Sequence, residues 1–256
     1  MSKEDLQFSV KDSIGRFVIN REPQRNALNL ETLSLFFKYL DQAESDDAVR
    51  VILITGAGER AFCSGADLGG AVAGGIEEGF RSYAQLMKRL AGYPKPVVAR
   101  VNGDCLAGGM GLMLACDIVI SRNDVKFGTP EVNVGLFPMM IGALIYRNAL
   151  RKKAMEMILL GQKLDAEQAK DMGLITRAVA PAELDTEVAK TLKLLAAKSP
   201  IGIKIGKEAF YAMADMPFEA ALDFLSQKIA EVAATEDARE GITAFLEKRP
   251  PVFKGK

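Results

Sequence analysis

The chain contains no histidine, so acid–base chemistry near neutral pH falls to Asp, Glu, Lys, Tyr, Cys or water. The same count excludes Ser-His-Asp and Cys-His devices and histidine-ligated zinc. Among the carboxylates, Glu131 is set apart by its neighbours. It follows Gly128-Thr-Pro and precedes Val132, Val134, Leu136, Phe137, Met139 and Met140. A carboxylate held among such side chains is partly desolvated and keeps its proton more tightly, which is what a neutral-pH acid–base group needs. A plainer reading makes Thr129 a cap, Pro130 the first residue of a turn, and Glu131 a carboxylate that complements the turn's dipole.

Glycine-rich bends offer backbone donors. Phe62-Cys-Ser-Gly-Ala-Asp-Leu68 is built largely of small residues, so its N–H groups can face a ligand with no side chain in the way. An ordinary turn has the same composition. Val101-Asn-Gly-Asp-Cys-Leu-Ala-Gly-Gly-Met-Gly111 reads as a strand end, a small-residue turn and a helix start. The unpaired N–H groups and partial positive charge of a helix start favour an anionic oxygen. Close helix–sheet packing through glycine is the alternative there. Gly56-Ala-Gly58 follows a buried strand and fits a dinucleotide-binding turn on pattern. Yet Phe62-Cys-Ser-Gly65 follows where a helix should open, and a tight turn leaving a sheet explains the glycines as well. Cys63, Cys105 and Cys116 are too few and too scattered for a disulfide framework or a metal knuckle. They suit small buried hydrophobes in a reducing compartment, and no metal site is expected.

These groups need elements to position them. Short strand-like runs at 8–10 and 17–19 read as a hairpin, and Asn29 opens a helix over 30–43. The runs 51–55 and 97–101 have the continuous apolar character of strands buried on both faces. A glycine-rich stretch at 69–79 is expected to move, and helices are expected over 80–90 and 110–116. Further strands fall at 117–121 and 125–128, and from 141 onward the pattern is mainly helical. Strands alternating with helices predict an α/β fold, with 201–249 as an all-helical element suited to assembly. Lys+Arg and Asp+Glu are both 33, so bulk charge gives no reason to expect nucleic acid or an anionic membrane as partner. No apolar run is long enough to span a bilayer and residues 1–12 lack a signal-like core, so a cytoplasmic location is expected.

Taken in order, the motifs resemble the crotonase family, the enoyl-CoA hydratases and isomerases. The matching phrases are Arg25-Asn-Ala-Leu-Asn29, Ile54-Thr-Gly-Ala-Gly-Glu-Arg-Ala-Phe-Cys-Ser-Gly-Ala-Asp-Leu68, Lys95-Pro-Val-Val-Ala-Arg-Val-Asn-Gly103, Ala107-Gly-Gly109 with Ala115-Cys-Asp117, and Phe127-Gly-Thr-Pro-Glu131. Later matches are Ala154-Met-Glu-Met157, Ala169-Lys-Asp-Met-Gly-Leu174 and Glu247-Lys-Arg249. The resemblance implies a spiral of ββα units over 1–195 and a helical region over 196–256 that builds homotrimers, often paired into hexamers. It implies an acyl-CoA or enoyl-CoA substrate, with coenzyme A entering as part of the thioester and no tightly bound cofactor. The backbone N–H groups at Ala66 and Gly108 would bind the thioester oxygen and Glu131 would move the proton. Donors aimed in advance at a developing oxyanion are effective because they need no reorganisation, and losing one costs about 10²–10³ in rate in a well-studied case. The resemblance also places Arg25 and Ala27 at the adenosine end, and Ser64, Gly65, Ala66, Asp67 and Leu68 along the pantetheine. Phe245 and Lys248 would reach the cofactor of a neighbouring subunit.

One departure bears on the reaction. Hydratases of this family use two glutamates, and the position of the first falls at Gly111. A single carboxylate suffices to shift a double bond, since it can take a proton from C2 and return it to C4. Isomerisation is therefore favoured over hydration, for which Asp104 or Ser64 would have to hold the water. Decarboxylation, thioester hydrolysis and binding without turnover are the other possibilities on this scaffold. Met139-Met-Ile141 stands where hydratases carry several glycines, and these side chains should crowd or reshape the acyl pocket.

Overall fold

The computed structural model describes residues 4–67 and 76–256. A hairpin of β1 (Leu6–Lys11) and β2 (Ile14–Ile19) opens the chain, as the alternating apolar runs predict. Helix Leu30–Ser45 follows, capped by the Asn29 side chain, which accepts from the Thr32 amide. The chain then repeats one pattern. A strand of a six-stranded sheet is followed by a short strand of a second sheet and then by a helix. The first round is β3 (Val51–Gly56), β4 (Ala61–Cys63) and helix Ile76–Ala91. The second is β5 (Val97–Val101), β6 (Asp104–Leu106) and helix Gly108–Leu114. The third is β7 (Ile118–Arg122), β8 (Phe127–Gly128), the 3-10 turn Pro130–Val134 and helix Met139–Asn148.

β3, β5 and β7 run parallel in one sheet, and β4, β6 and β8 run parallel in the other. The rounds are therefore turns of a spiral, and the bends that follow β4, β6 and β8 come together. Burial explains the order. Along β3, Ile52 and Ile54 enter one core, while Val51 and Leu53 enter a second core behind the sheet. This is the two-residue period of a strand covered on both faces. Helix Leu184–Ala196 covers the second face with Leu184, Val188 and Leu192.

The structure corrects the sequence reading in places. The region after 141 is mainly helical as read, with two short strands added to it: β9 (Lys163–Leu164) joins the second sheet and β10 (Arg177–Val179) joins the first. Runs this short show no alternation to read. Of the glycine-rich stretch 69–79, residues 69–75 lie outside the described residues, and 76–79 belong to a helix that starts earlier than 80. Helices Pro200–Met213, Phe218–Ala233 and Glu236–Leu246 complete the chain. They leave Phe210, Phe218, Ile229, Ile242 and Phe245 more than half exposed. Among the described residues no helix is long and apolar enough to cross a membrane.

Candidate active site

The bend after β4 is held by two side chains. Asn26 is buried with φ at 56°, and its Nδ2 donates to the carbonyls of Ala57 at 3.0 Å and Ala61 at 2.7 Å. The Arg21 guanidinium bonds Asp67 at 2.8 Å and the Ala27 carbonyl at 2.5 Å, and pairs with Asp5 at 3.0 Å. Leu28 then forms a parallel bridge with Ala66. The Leu28 amide donates to the Gly65 carbonyl at 2.8 Å and the Asp67 amide to the Leu28 carbonyl at 2.9 Å. Successive amides along an extended chain point to opposite sides, so the N–H of Ala66 faces away from Leu28.

The bend after β6 ends in strained backbone. Ala107 has φ of 48° and ψ of −128°, a conformation that costs about 1–3 kcal/mol outside glycine. It turns the chain into helix Gly108–Leu114, where Gly108 is the first residue and its N–H has no helical acceptor. The two bends touch. A Cβ on Gly65, whose φ is +103°, would lie 2.8 Å from the Gly108 nitrogen, and a Cβ on Gly108 would lie 3.5 Å from the Ala66 nitrogen. A Cβ on Gly109 would meet the Cys63 carbonyl at 2.1 Å. Close packing through glycine and exposure of backbone donors, set out as alternatives by the sequence, are thus one arrangement.

The bend after β8 carries Glu131. One of its carboxylate oxygens, Oε2, is buried with no hydrogen-bond partner among the described residues. Burial pushes this carboxyl above its ordinary 4.5, opposed by a backbone hydrogen bond at Glu131 itself. Thr129 does not cap the turn. With φ −121° and ψ 77° it makes no capping bond, and its hydroxyl is buried without a partner among the described residues.

Ala66, Gly108 and Glu131 line one cavity of about 1020 Å³. Met139, Met140 and Ile141 line it too, so the side chains expected to shape an acyl pocket stand at its wall. Its charged lining residues, among those described, are Glu31, Asp67 and Glu131. Ser64 also lines it, and the Ser64 amide donates to the Arg25 carbonyl at 3.1 Å. Arg25 is exposed and Ala27 buried, both on the segment that pairs with this bend. Leu68 lies outside the described residues. Phe245 and Lys248 are not brought to the cavity of their own chain. Phe245, 82% exposed, borders a separate depression of about 380 Å³ among the C-terminal helices. Asp104 is also absent from the cavity wall. Its Oδ1 accepts from the Lys126 amide at 2.9 Å, and its place away from the cavity wall puts it out of reach of a water held there.

Other expectations are settled by packing. Gly56-Ala-Gly58 joins β3 to β4 and opens no helix, so the dinucleotide reading falls. A Cβ on Gly56 would meet the Phe62 carbonyl and the Asn26 amide at 2.5 Å. Cys63 and Cys105 are buried, and burial pushes the Cys63 thiol up to about 12, which makes it inert.

Two residues escaped the sequence reading. Arg21 carries no mark that separates it from other basic residues. Tyr83 lines the cavity from helix Ile76–Ala91, and its hydroxyl donates to the Gly108 carbonyl at 2.5 Å. A signal for it existed. Tyr83, Leu86, Met87 and Leu90 form a buried stripe at helical spacing, and a buried tyrosine hydroxyl must find a partner.

Residues 9–256 match the family model described as enoyl-CoA hydratase/isomerase. The 2,3-dehydroadipyl-CoA hydratase of Escherichia coli is 36% identical over 255 residues, covering 98% of this chain and 99% of that protein. The short-chain-enoyl-CoA hydratase of Clostridium acetobutylicum is 33% identical over 236 residues, covering 90% of each. Among solved structures, enoyl-CoA hydratase from Bacillus anthracis superposes with a TM-score of 0.94 at 30% identity, covering 98% of this chain and 100% of that one.

Proposed function

The chain belongs to the enoyl-CoA hydratase/isomerase family of acyl-CoA-metabolising enzymes, and from that premise we propose a double-bond isomerase in which one glutamate does the proton transfer. The amides of Ala66 and Gly108 bind the thioester oxygen. Glu131 takes a proton from C2 of a 3-enoyl-CoA, and the electron pair moves through C1 onto that oxygen to give a dienolate. The same carboxyl returns the proton to C4 as the charge flows back, leaving the 2-enoyl-CoA with no water added. The observation that carries this reading is a half-buried carboxyl, one oxygen of which has no partner among the described residues, in the same cavity as two adjoining main-chain amides. Position 111, a glycine, supplies no second acid.

Coenzyme A would run past Arg25 and Ala27 at its adenosine end and along Ser64–Asp67, with Phe245 and Lys248 supplied by a neighbouring subunit. The exposed apolar surface of the C-terminal helices supports assembly into trimers or hexamers. A second reading, hydration of a 2-enoyl-CoA, is favoured by the hydratase names of the relatives and by the place of Ser64 at the cavity wall, its hydroxyl donating to the Gln24 carbonyl at 3.4 Å. Incubation with 3-hexenoyl-CoA and, separately, with crotonyl-CoA decides between them. Formation of 2-hexenoyl-CoA without a hydroxyacyl product supports isomerisation. Formation of 3-hydroxybutyryl-CoA from crotonyl-CoA at a higher kcat/KM replaces it with hydration.

A further inference from the structure

We propose that Tyr83 is a positioning residue for the thioester-oxygen site: seated in the space left by the bare Gly111, its hydroxyl ties down the Gly108 carbonyl and so fixes the helix turn that presents the Gly108 amide. The proposal rests on the reading that this amide binds the thioester oxygen. Ahead of the helix the Ala107 amide donates to the Gly128 carbonyl at 2.9 Å, but the first turn itself has weak holds. Helix Gly108–Leu114 is only 7 residues long, its N-cap Ala107 offers no side-chain bond, and Ala107 holds a strained backbone conformation. Glycine follows at both Gly108 and Gly109, so the first turn has little stiffness of its own. The Tyr83 hydroxyl, 2.5 Å from the Gly108 carbonyl oxygen, supplies a fixed point from a separate helix.

Gly111 and Tyr83 are reciprocal. A Cβ at position 111 would lie 2.1 Å from the Tyr83 hydroxyl and 2.5 Å from the Ile141 Cγ2, so any side chain there displaces the phenol. The bare position is therefore occupied space, filled from the neighbouring helix. Tyr83 is 7% exposed, and burial holds its phenol well above its ordinary range, with the Glu131 charge among the lesser causes. It stays protonated and donating throughout the pH range in which Glu131 titrates.

The test uses bound cinnamoyl-CoA, whose absorption moves to longer wavelength as its carbonyl is polarised. Tyr83→Phe should bind it within about threefold of the wild-type affinity, with a diminished red shift and kcat down about tenfold to a hundredfold at nearly constant KM, less than deleting an oxyanion donor outright. Gly111→Ala should do the same by expelling the hydroxyl, and should add little once Tyr83 is already Phe. A full red shift and wild-type kcat in Tyr83→Phe would overturn the proposal. So would losses that multiply in the double variant, since the two positions would then act separately. A wild-type protein that binds cinnamoyl-CoA with no red shift would instead sink the proposed function and leave no site for Tyr83 to position.

Discussion

Replacing Glu131 with glutamine tests the proton route at the atom through which it is proposed to run. Gln keeps the size and planarity of the side chain but cannot accept a proton and return it. General acid–base catalysis contributes about 10²–10⁴ per positioned group, and here the same carboxyl serves both C2 and C4. A loss of about 10⁴ or more is expected, which is about 5.4 kcal/mol at 1.36 kcal/mol per decade. The two main-chain amides and the apolar wall are untouched, so CoA-thioester affinity should change by no more than about threefold. The wild-type pH profile carries a second signature. Burial holds the Glu131 carboxyl above its ordinary 4.5, and it must be ionised to take a proton. Activity should therefore fall with a one-proton slope as pH drops through that raised value, and the limb should vanish in whatever activity the Glu131→Gln variant retains. The stability sign runs the other way. The folded carboxyl holds its proton more tightly than the unfolded one, so this group favours folding most below 4.5, and that contribution is lost as pH rises through the raised folded value. Steady-state rates with 3-hexenoyl-CoA between pH 4 and 8, with thermal unfolding over the same range, measure both effects. A Gln variant that keeps more than about a tenth of the wild-type rate, or the same acid limb, refutes the assignment.

Asn102 holds the β3–β4 turn to the end of β5, accepting from the Gly56 amide and the Thr55 hydroxyl at 3.1 Å and donating to the Gly58 carbonyl at 2.6 Å. Asn102→Ala should lower unfolding stability by about 2 kcal/mol, because it leaves the buried Gly56 amide without its acceptor at the root of two site-forming bends, while the Thr55 hydroxyl keeps the Arg100 carbonyl; a loss below about 1 kcal/mol in urea titration contradicts this. Among the described residues the charged groups lining the cavity are Glu31, Asp67 and Glu131, of which Asp67 is paired with Arg21, so an acyl chain ending in a carboxylate finds no described basic partner and meets the Glu131 charge at a cost of about 1 kcal/mol for like charges about 4 Å apart in water. 2,3-Dehydroadipyl-CoA should therefore show kcat/KM at least about fivefold below that of an uncharged enoyl-CoA of similar length, and equal or faster turnover would refute the acyl-pocket reading.

Much of this site was legible in the sequence because its parts are short and local. The strand at 51–55 declared itself through its unbroken, largely β-branched run, and Asn29 declared the start of its helix through its capping chemistry. The desolvation of Glu131 followed from the apolar residues around it. What the sequence could not convey lies between distant segments. Arg21 acts through Asp5, Asp67 and the Ala27 carbonyl, partners up to 46 residues away, and no local pattern encodes that convergence. The Thr129 cap failed for a related reason: composition names residues able to cap but not the backbone angles that let them. Gly111 was legible only as a missing side chain, and its filling by Tyr83 depends on how two helices cross.

The division between backbone and side chain explains why one scaffold accommodates related reactions. Main-chain donors cannot be removed by substitution at their own positions, since every residue but proline carries the amide. They are lost only if the bends separate, and what keeps the bends together is glycine. A methyl group on Gly65 or Gly109 would strike backbone of the opposing bend at 2.8 Å or 2.1 Å. On the proposed reading, the requirement to hold an oxyanion is thus written in glycines, which constrain shape and leave the reaction unspecified. The reaction is specified by whichever side chains project into the cavity from the surrounding helices and from the turn after β8. With Gly111 bare and Tyr83 lodged against it, the proposed isomerisation leaves the carboxyl of Glu131 to perform both halves of a proton transfer. Hydration on this frame would demand that Ser64 or an equivalent hydroxyl hold the water, while Glu131 performs one half alone.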